Sequence, residues 1–170
     1  MIIELANVPI RRKPAELTFE VGEIDLDLDD ARLVGAVNFT GETEKPDERV
    51  HVRGTVKADA DIACFRCLEP VRKSLEITFD DVFVGEDHEP SEAELALEAE
   101  DLDVAIAIGG NIDLAEVVRE QLLLTLTDQV LCRDDCRGLC PKCGSNRNLI
   151  DCKCIDNEVD PRWAALKDLM

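Results

Sequence analysis

VHVRGTVKADADIACFRCLEPVRKSLEITFDDVFV, residues 50–84, is the stretch on which the fold turns. Val50, Val52 and Val56 alternate with polar neighbours in the run up to Ile62, and Leu75, Ile77 and Phe79 do the same between Val71 and Val84. A period of two puts one face of a strand in a core and the other in water. Between the runs stands Cys64-Phe65-Arg66-Cys67, whose two-residue gap suits a tight knuckle. The stretch therefore reads as a hairpin with a thiol pair at its tip.

The same pattern extends upstream. Leu17, Phe19 and Val21 alternate, as do Ile24, Leu26 and Leu28, and Leu33 to Phe39 is an apolar, β-rich run. Gly22, Gly41 and Pro46 read as turns between these strands. Asp25, Asp27 and Asp29 then fall on the wet face of a strand rather than in a calcium loop. Downstream, residues 86–103 hold nine acids and no Lys or Arg, which predicts a solvated loop with a helical turn near Glu92 to Glu98. Strand character returns at 102–108, and Gly109-Gly110-Asn111 is a turn. Asp113 with Glu116 makes a capping box, and Leu114, Val117, Val118, Leu122 and Leu126 predict an amphipathic helix from 113 to about 126. Asp160-Pro161 opens a short terminal helix with Trp163, Leu166 and Met170 on one face.

Charge narrows the function. The 170 residues carry 19 Lys+Arg against 38 Asp+Glu, a formal net charge of −19. A broad basic face for nucleic acid is excluded, because phosphate neutralisation supplies most non-specific affinity. Tyr is absent, Trp occurs once and aromatics are 4%, so an aromatic stacking platform is a poor fit as well. No apolar run reaches the ~18 residues of a membrane span. MIIELANVPIRRK at the start places its basic residues after the apolar ones, the reverse of a secretory signal, so the expected compartment is the cytoplasm.

The cysteines carry the chemistry. Cys64 and Cys67 form one pair, and Cys132, Cys136, Cys140, Cys143, Cys152 and Cys154 lie within 23 residues. In a reducing compartment structural disulfides rarely persist, and close gaps aim several sulfurs at one point, which a tetrahedral ion requires. Residues 131–155 contain, besides sulfur, chiefly Leu131, Leu139, Leu149, Ile150 and Ile155 as apolar side chains. Five aliphatics returning at most ~1.5–3 kcal/mol each cannot offset ~1–2 kcal/mol of backbone entropy for every ordered residue. A structural zinc site, worth roughly 10–16 kcal/mol in small peptides, narrows that deficit most.

Cys140-Pro141-Lys142-Cys143-Gly144 is the strongest motif, its glycine free to take positive φ; after Cys67 stands Leu68 instead. Eight thiols suit two four-cysteine sites. The favoured partition is Cys64, Cys67, Cys132 and Cys136 against Cys140, Cys143, Cys152 and Cys154, although spacing leaves other pairings, and one ion or two, open.

The expected zinc is structural. The two histidines, His51 in a strand and His88 in the acidic loop, stand apart from the thiols in sequence, and no HExxH, H-x-E with PCxxC, GxSxG or phosphate-cradling loop occurs. The fold class expected is α+β: a mostly antiparallel β-sheet or partly open barrel, one packed amphipathic helix, a C-terminal cysteine-rich zinc-binding segment and a short terminal helix. Residues 1–130 form the β-rich domain and 131–170 the zinc-binding tail. Within that tail Arg147, flanked by Asn146 and Asn148, is the candidate for a small contact to phosphate or a base edge.

Three pieces together resemble a known family: Cys64-Phe65-Arg66-Cys67-Leu68-Glu69-Pro70-Val71, the stretch CRGLCPKCGSNRNLIDCKC, and the closing Asp160-Pro161-Arg162-Trp163. The family is the bacterial large ribosomal RNA subunit accumulation proteins, or YceD-like proteins, which also occur in plastids. The resemblance implies a non-enzymatic role in accumulation of 23S ribosomal RNA and biogenesis of the large subunit. An acidic chain is better suited to a basic large-subunit ribosomal protein or an assembly intermediate than to gripping RNA, since opposite charge steers encounter. Direct rRNA binding by the zinc tail and a thiol redox or zinc-sensing role are the alternatives.

Overall fold

In the computed structural model, which describes residues 1–86, 104–126 and 129–154, eight strands and one α-helix follow one another. They are β1 (Ile2–Glu4), β2 (Lys13–Phe19), β3 (Ala31–Leu33), β4 (Val37–Glu44), β5 (Val50–Ala63), β6 (Pro70–Gly85), β7 (Val104–Ala107), β8 (Asn111–Asp113) and α1 (Leu114–Thr125). The two alternating runs are the longest strands, β5 and β6, paired antiparallel from Val50↔Phe83 to Ala63↔Pro70. The main sheet is open, in the order β2-β4-β5-β6-β7, with β3 also paired to β5. β1 and β8 make a separate two-stranded sheet.

β3 and β4 lie end to end along one edge of β5. Leu33 pairs with Ala60 and Asn38 with Lys57, so four residues on one side face two on the other. The excess bulges out, and this is why the run Leu33 to Phe39 is two strands rather than one. β7 runs parallel to β6. A parallel neighbour needs a crossover of a dozen or more residues, and 86–103 supply that length.

One face of the sheet meets α1. Val50, Val52 and Val56 from β5 and Phe39 from β4 share a core with Leu114, Val118 and Leu122 of the helix. Leu114 and Leu122 are fully buried, each worth about 1.5–3 kcal/mol. The Asp113 carboxylate caps the helix by accepting from Ala115 N at 3.0 Å. The other face is a lattice of ion pairs: Arg53 donates to Glu44 and Asp80, Arg72 and Arg32 to Asp61, and Arg12 to Glu44.

Two expectations are corrected. Residues 22–30 form no strand: Ile24 and Leu26 are buried while Asp25 and Asp27 are exposed, but the backbone is a loop with Asp27 at φ 53°. The Arg119 guanidinium on α1 fastens it, donating to the carbonyls of Asp25 at 2.6 Å and Leu26 at 3.4 Å. Alternating burial here comes from a loop laid over a helix, with no ladder. Gly41 is not a turn but sits inside β4 opposite Gly54. The Phe39 ring covers both glycines, so closely that a Cβ on either would collide with it. The terminal helix from Pro161 and the turn near Glu92 to Glu98 lie outside the described residues.

Candidate metal centres

β5 and β6 carry their pairing out to Ala63↔Pro70, and the residues between them form the tip. There Cys64 N donates to Glu69 O at 2.8 Å and Leu68 N to Cys64 O at 2.9 Å. The second CxxC makes the same turn: Cys140 N donates to Ser145 O and Gly144 N to Cys140 O, both at 2.8 Å. In each knuckle the residue after the second cysteine is left-handed, Gly144 at φ 70° and Leu68 at φ 62°. Leucine occupies a conformation that glycine adopts at less cost.

Long-range backbone bonds bring the other cysteines to this tip. Phe65 N donates to Val130 O at 2.9 Å, Leu139 N to Arg66 O at 3.0 Å, and Arg66 Nη1 to Cys136 O at 3.0 Å. The tail thus lies against the first knuckle. The sulfurs of Cys64, Cys67, Cys132 and Cys136 all fall within 4.8 Å of one another, and so do those of Cys140, Cys143, Cys152 and Cys154. These are the two groups of the favoured partition.

The distances fit a shared ion. Cys64 and Cys136 sulfurs are 3.8 Å apart, and those of Cys67 and Cys132 3.6 Å. A tetrahedral ion with bonds of about 2.3 Å sets its sulfurs about 3.8 Å apart, whereas a disulfide needs about 2.05 Å. All eight thiols are free. In the first centre Cys64, Cys67 and Cys136 are buried and Cys132 is exposed; in the second Cys140 is buried, Cys152 half-buried, and Cys143 and Cys154 exposed.

Hydrogen bonds prepare the sulfurs for charge. Cys132 N donates to Cys64 Sγ at 3.3 Å and Asn148 Nδ2 to Cys136 Sγ at 3.2 Å. Burial pushes the Cys64 thiol up, but backbone N–H groups of Cys132, Arg66 and Cys67 outweigh it and bring the thiol down to about 6. Cys143 is brought down to about 6 chiefly by the Ser145 hydroxyl. Cys132 is pushed up to about 12, first by burial and then by its sulfur neighbours, and Cys154 is raised to about 12 chiefly by Cys143. Four thiols this close share protons unless a cation replaces them.

Asn148 is the residue that spacing did not single out for the metal. Besides its bond to Cys136, its Oδ1 accepts from Arg137 N at 2.8 Å and from Arg133 Nη2 at 2.7 Å. Asn146 donates to Glu69 at 3.3 Å and accepts from Asn148 N at 3.0 Å. Both asparagines expected at a nucleic-acid contact are therefore engaged inside the protein, leaving Arg147 alone of the three. His51 lies at the far end of β5 from the knuckle, between Arg53 and Asp80, and His88 is outside the described residues.

Both centres lie in a region that known sequences share. A family model described as "Large ribosomal RNA subunit accumulation protein YceD" matches residues 52–170. The chain belongs to the YceD family. An uncharacterized protein of Mycobacterium bovis is 31% identical over 134 residues, covering 75% of this chain and 58% of the relative. YlbN of Bacillus subtilis, also uncharacterized, is 26% identical over 170 residues, 99% of this chain and 94% of the relative. A chloroplastic protein of Zea mays named large ribosomal RNA subunit accumulation protein YCED homolog 1 is 27% identical over 135 residues, 65% of this chain and 46% of the relative. The chain thus spans 58% of the length of the relatives it matches in Mycobacterium bovis and Mycobacterium tuberculosis. No solved structure matches it. No described helix of this YceD-family chain is long and apolar enough to cross a membrane.

Proposed function

We propose that this chain is a non-enzymatic cytoplasmic factor in biogenesis of the large ribosomal subunit, and that it holds two structural zinc ions, one in each thiol quartet. The observation that carries the ribosomal reading is the family match over residues 52–170, a region that includes all eight cysteines. Zinc is favoured by an all-thiolate set of four donors within 4.8 Å of one another, with no histidine among the described ligands. A second support is burial: among the described residues 129–154 only Cys136, Gly138 and Cys140 are buried. An ordered segment without a buried aliphatic needs another source of free energy.

The partner favoured by charge is a basic large-subunit ribosomal protein, or an assembly intermediate presenting one. Acids and bases on the outer sheet face largely pair with each other. The unbalanced acid lies in the loops, as in Glu20, Glu23, Asp25, Asp27, Asp29 and Asp30, all exposed. Loading both quartets with zinc takes the formal charge from −19 to about −23. The RNA-binding alternative is weakened by the internal bonds of Asn146 and Asn148. Affinity capture of the full chain from growing cells tests the reading. Ribosomal proteins or precursor particles of the large subunit are expected at low salt and lost at high salt; recovery of neither overturns it.

A further inference from the structure

The two thiol quartets are not equivalent. We propose that the quartet of Cys64, Cys67, Cys132 and Cys136 is a permanent centre, and that the quartet of Cys140, Cys143, Cys152 and Cys154 is an exchangeable zinc site that holds residues 151–154 in place. The proposal rests on the reading that both quartets hold zinc.

Access to the metal is the first argument. A zinc–thiolate centre exchanges when an incoming ligand bonds to the ion as one cysteine leaves and takes a proton from water. In the first quartet three of the four cysteines are buried. Sulfurs of both quartets accept hydrogen bonds, Cys64 from Cys132 N and Cys136 from Asn148 Nδ2 in the first and Cys143 from Ser145 in the second, so burial is what separates them. In the second quartet Cys143 and Cys154 are exposed and Cys152 is half-buried, so an incoming ligand meets sulfur from the solvent side.

The second argument is what each quartet fastens. The hairpin around the second knuckle is anchored without its own metal. Leu139 N donates to Arg66 O, Arg147 N to Gly138 O, and Asn148 ties the same hairpin to Cys136 and Arg133. It stays docked as long as the first centre stands. Residues 151–154 have little of this. Their backbone bonds are local, Cys152 N to Ile150 O at 3.2 Å and Cys154 N to the Cys152 sulfur, and Asp151 makes one exposed ion pair with Arg137 at 3.0 Å. Their attachment is therefore the pair of metal bonds through Cys152 and Cys154. Loss of that ion releases residues 151–154 while the sheet, the first knuckle and the hairpin persist. The position of residues 151–154 thereby follows the availability of zinc.

The test uses the full-length, zinc-loaded protein. Zinc per chain is counted by native mass spectrometry, and a chromogenic zinc chelator is then added in excess. Thiols are trapped with N-ethylmaleimide at intervals and mapped by peptide mass spectrometry. Two zinc ions are expected to leave in two equal phases at least about ten-fold apart in rate, with Cys143, Cys152 and Cys154 labelled in the fast phase and Cys64, Cys67 and Cys136 in the slow one. Hydrogen exchange in the fast-phase product should rise at 150–154 and stay unchanged at 130–138 and in β5 and β6. Cys154→Ser should remove the fast phase and leave the slow one. A count below two before chelator overturns the two-zinc reading and this inference with it. A count of two with a single rate, or with labelling of Cys64 and Cys67 in the fast phase, overturns this inference alone.

Discussion

Gly138 and Gly144 are left-handed to nearly the same degree, φ 69° and 70°, yet alanine should cost very different amounts at the two. A side chain in this region costs about 1–2 kcal/mol, less about 0.4–1 kcal/mol because alanine stiffens the unfolded chain. At Gly144 nothing lies within 4 Å of the added Cβ, so the expected loss is that difference, about 0.5–1 kcal/mol. Leu68, at φ 62° in the matching position of the other knuckle, indicates that a side chain is tolerated there. At Gly138 the Cβ would stand 2.9 Å from the backbone oxygen of Arg66. That carbonyl cannot retreat, because Arg66 lies between two cysteines of the first quartet and its guanidinium is bonded to Cys136 O. The tail must lift instead, and the bond from Leu139 N to Arg66 O, 3.0 Å long, is lost with it. A hydrogen bond of this kind contributes about 1 kcal/mol, more if the carbonyl is left unsatisfied. Gly138→Ala is expected to destabilise by about 2–3 kcal/mol in all, roughly 1–2 kcal/mol beyond Gly144→Ala. Urea unfolding of the metal-loaded proteins by circular dichroism, with metal content measured alongside, reads the difference. Equal losses at the two glycines would refute the close docking of tail on knuckle.

Asn148→Ala removes the amide that bonds Cys136 and should weaken metal binding at the first quartet by about 10–100-fold. The second quartet should keep its affinity, and chelator competition that finds both unchanged assigns the amide no role. Asp81 faces α1, and burial raises its carboxyl above the ordinary 3.8, opposed by a bond from Gln121 and reinforced by Glu120 and Asp80. A carboxyl raised in the folded state opposes folding when ionised, fully above its folded value and not at all below 3.8, where both states are protonated. Asp81→Asn should therefore raise the melting temperature at pH 7, and the gain over the parent should fade as pH drops through that window; a gain independent of pH would contradict the burial argument.

What could be read from sequence was what depends on neighbours along the chain. The alternation in β5 and β6 survived because one face of each is packed by α1 and the other carries ion pairs. Asp113 was readable as a cap because its bond reaches only two residues on, to Ala115. Alternation failed at 22–30 because periodic burial does not require a ladder; the bonds that shape this loop come from Arg119, far away in sequence. Gly41 failed for the same reason, since its meaning lies across the sheet, in Gly54 and the Phe39 ring. Spacing left the pairing of thiols open because Phe65–Val130 and Leu139–Arg66, which bring the four-sulfur groups together, are contacts between distant segments. The two-sided amide of Asn148 was invisible on the same ground.

The sheet with its helix and the cysteine-rich segment solve the same problem by different means. The described residues among 1–126 order themselves by apolar burial, with Phe39, Val50, Val52, Val56, Leu114, Val118 and Leu122 almost wholly out of water. In 129–154 the aliphatics expected to help do little: Leu149 is 75% and Ile150 58% exposed, Leu131 and Leu139 are only half-buried, and none is fully buried. The side chains that are buried, Cys136 and Cys140, belong one to each quartet. Hydrogen bonds alone contribute too little net free energy to replace a core. If both quartets hold zinc as proposed, those ions supply the missing free energy for 129–154, whose position depends on the first knuckle, which β5 and β6 present at the end of a long hairpin. Removing an ion from the first quartet should accordingly undo the docking of residues 129–154, whereas Leu149→Ala should change little.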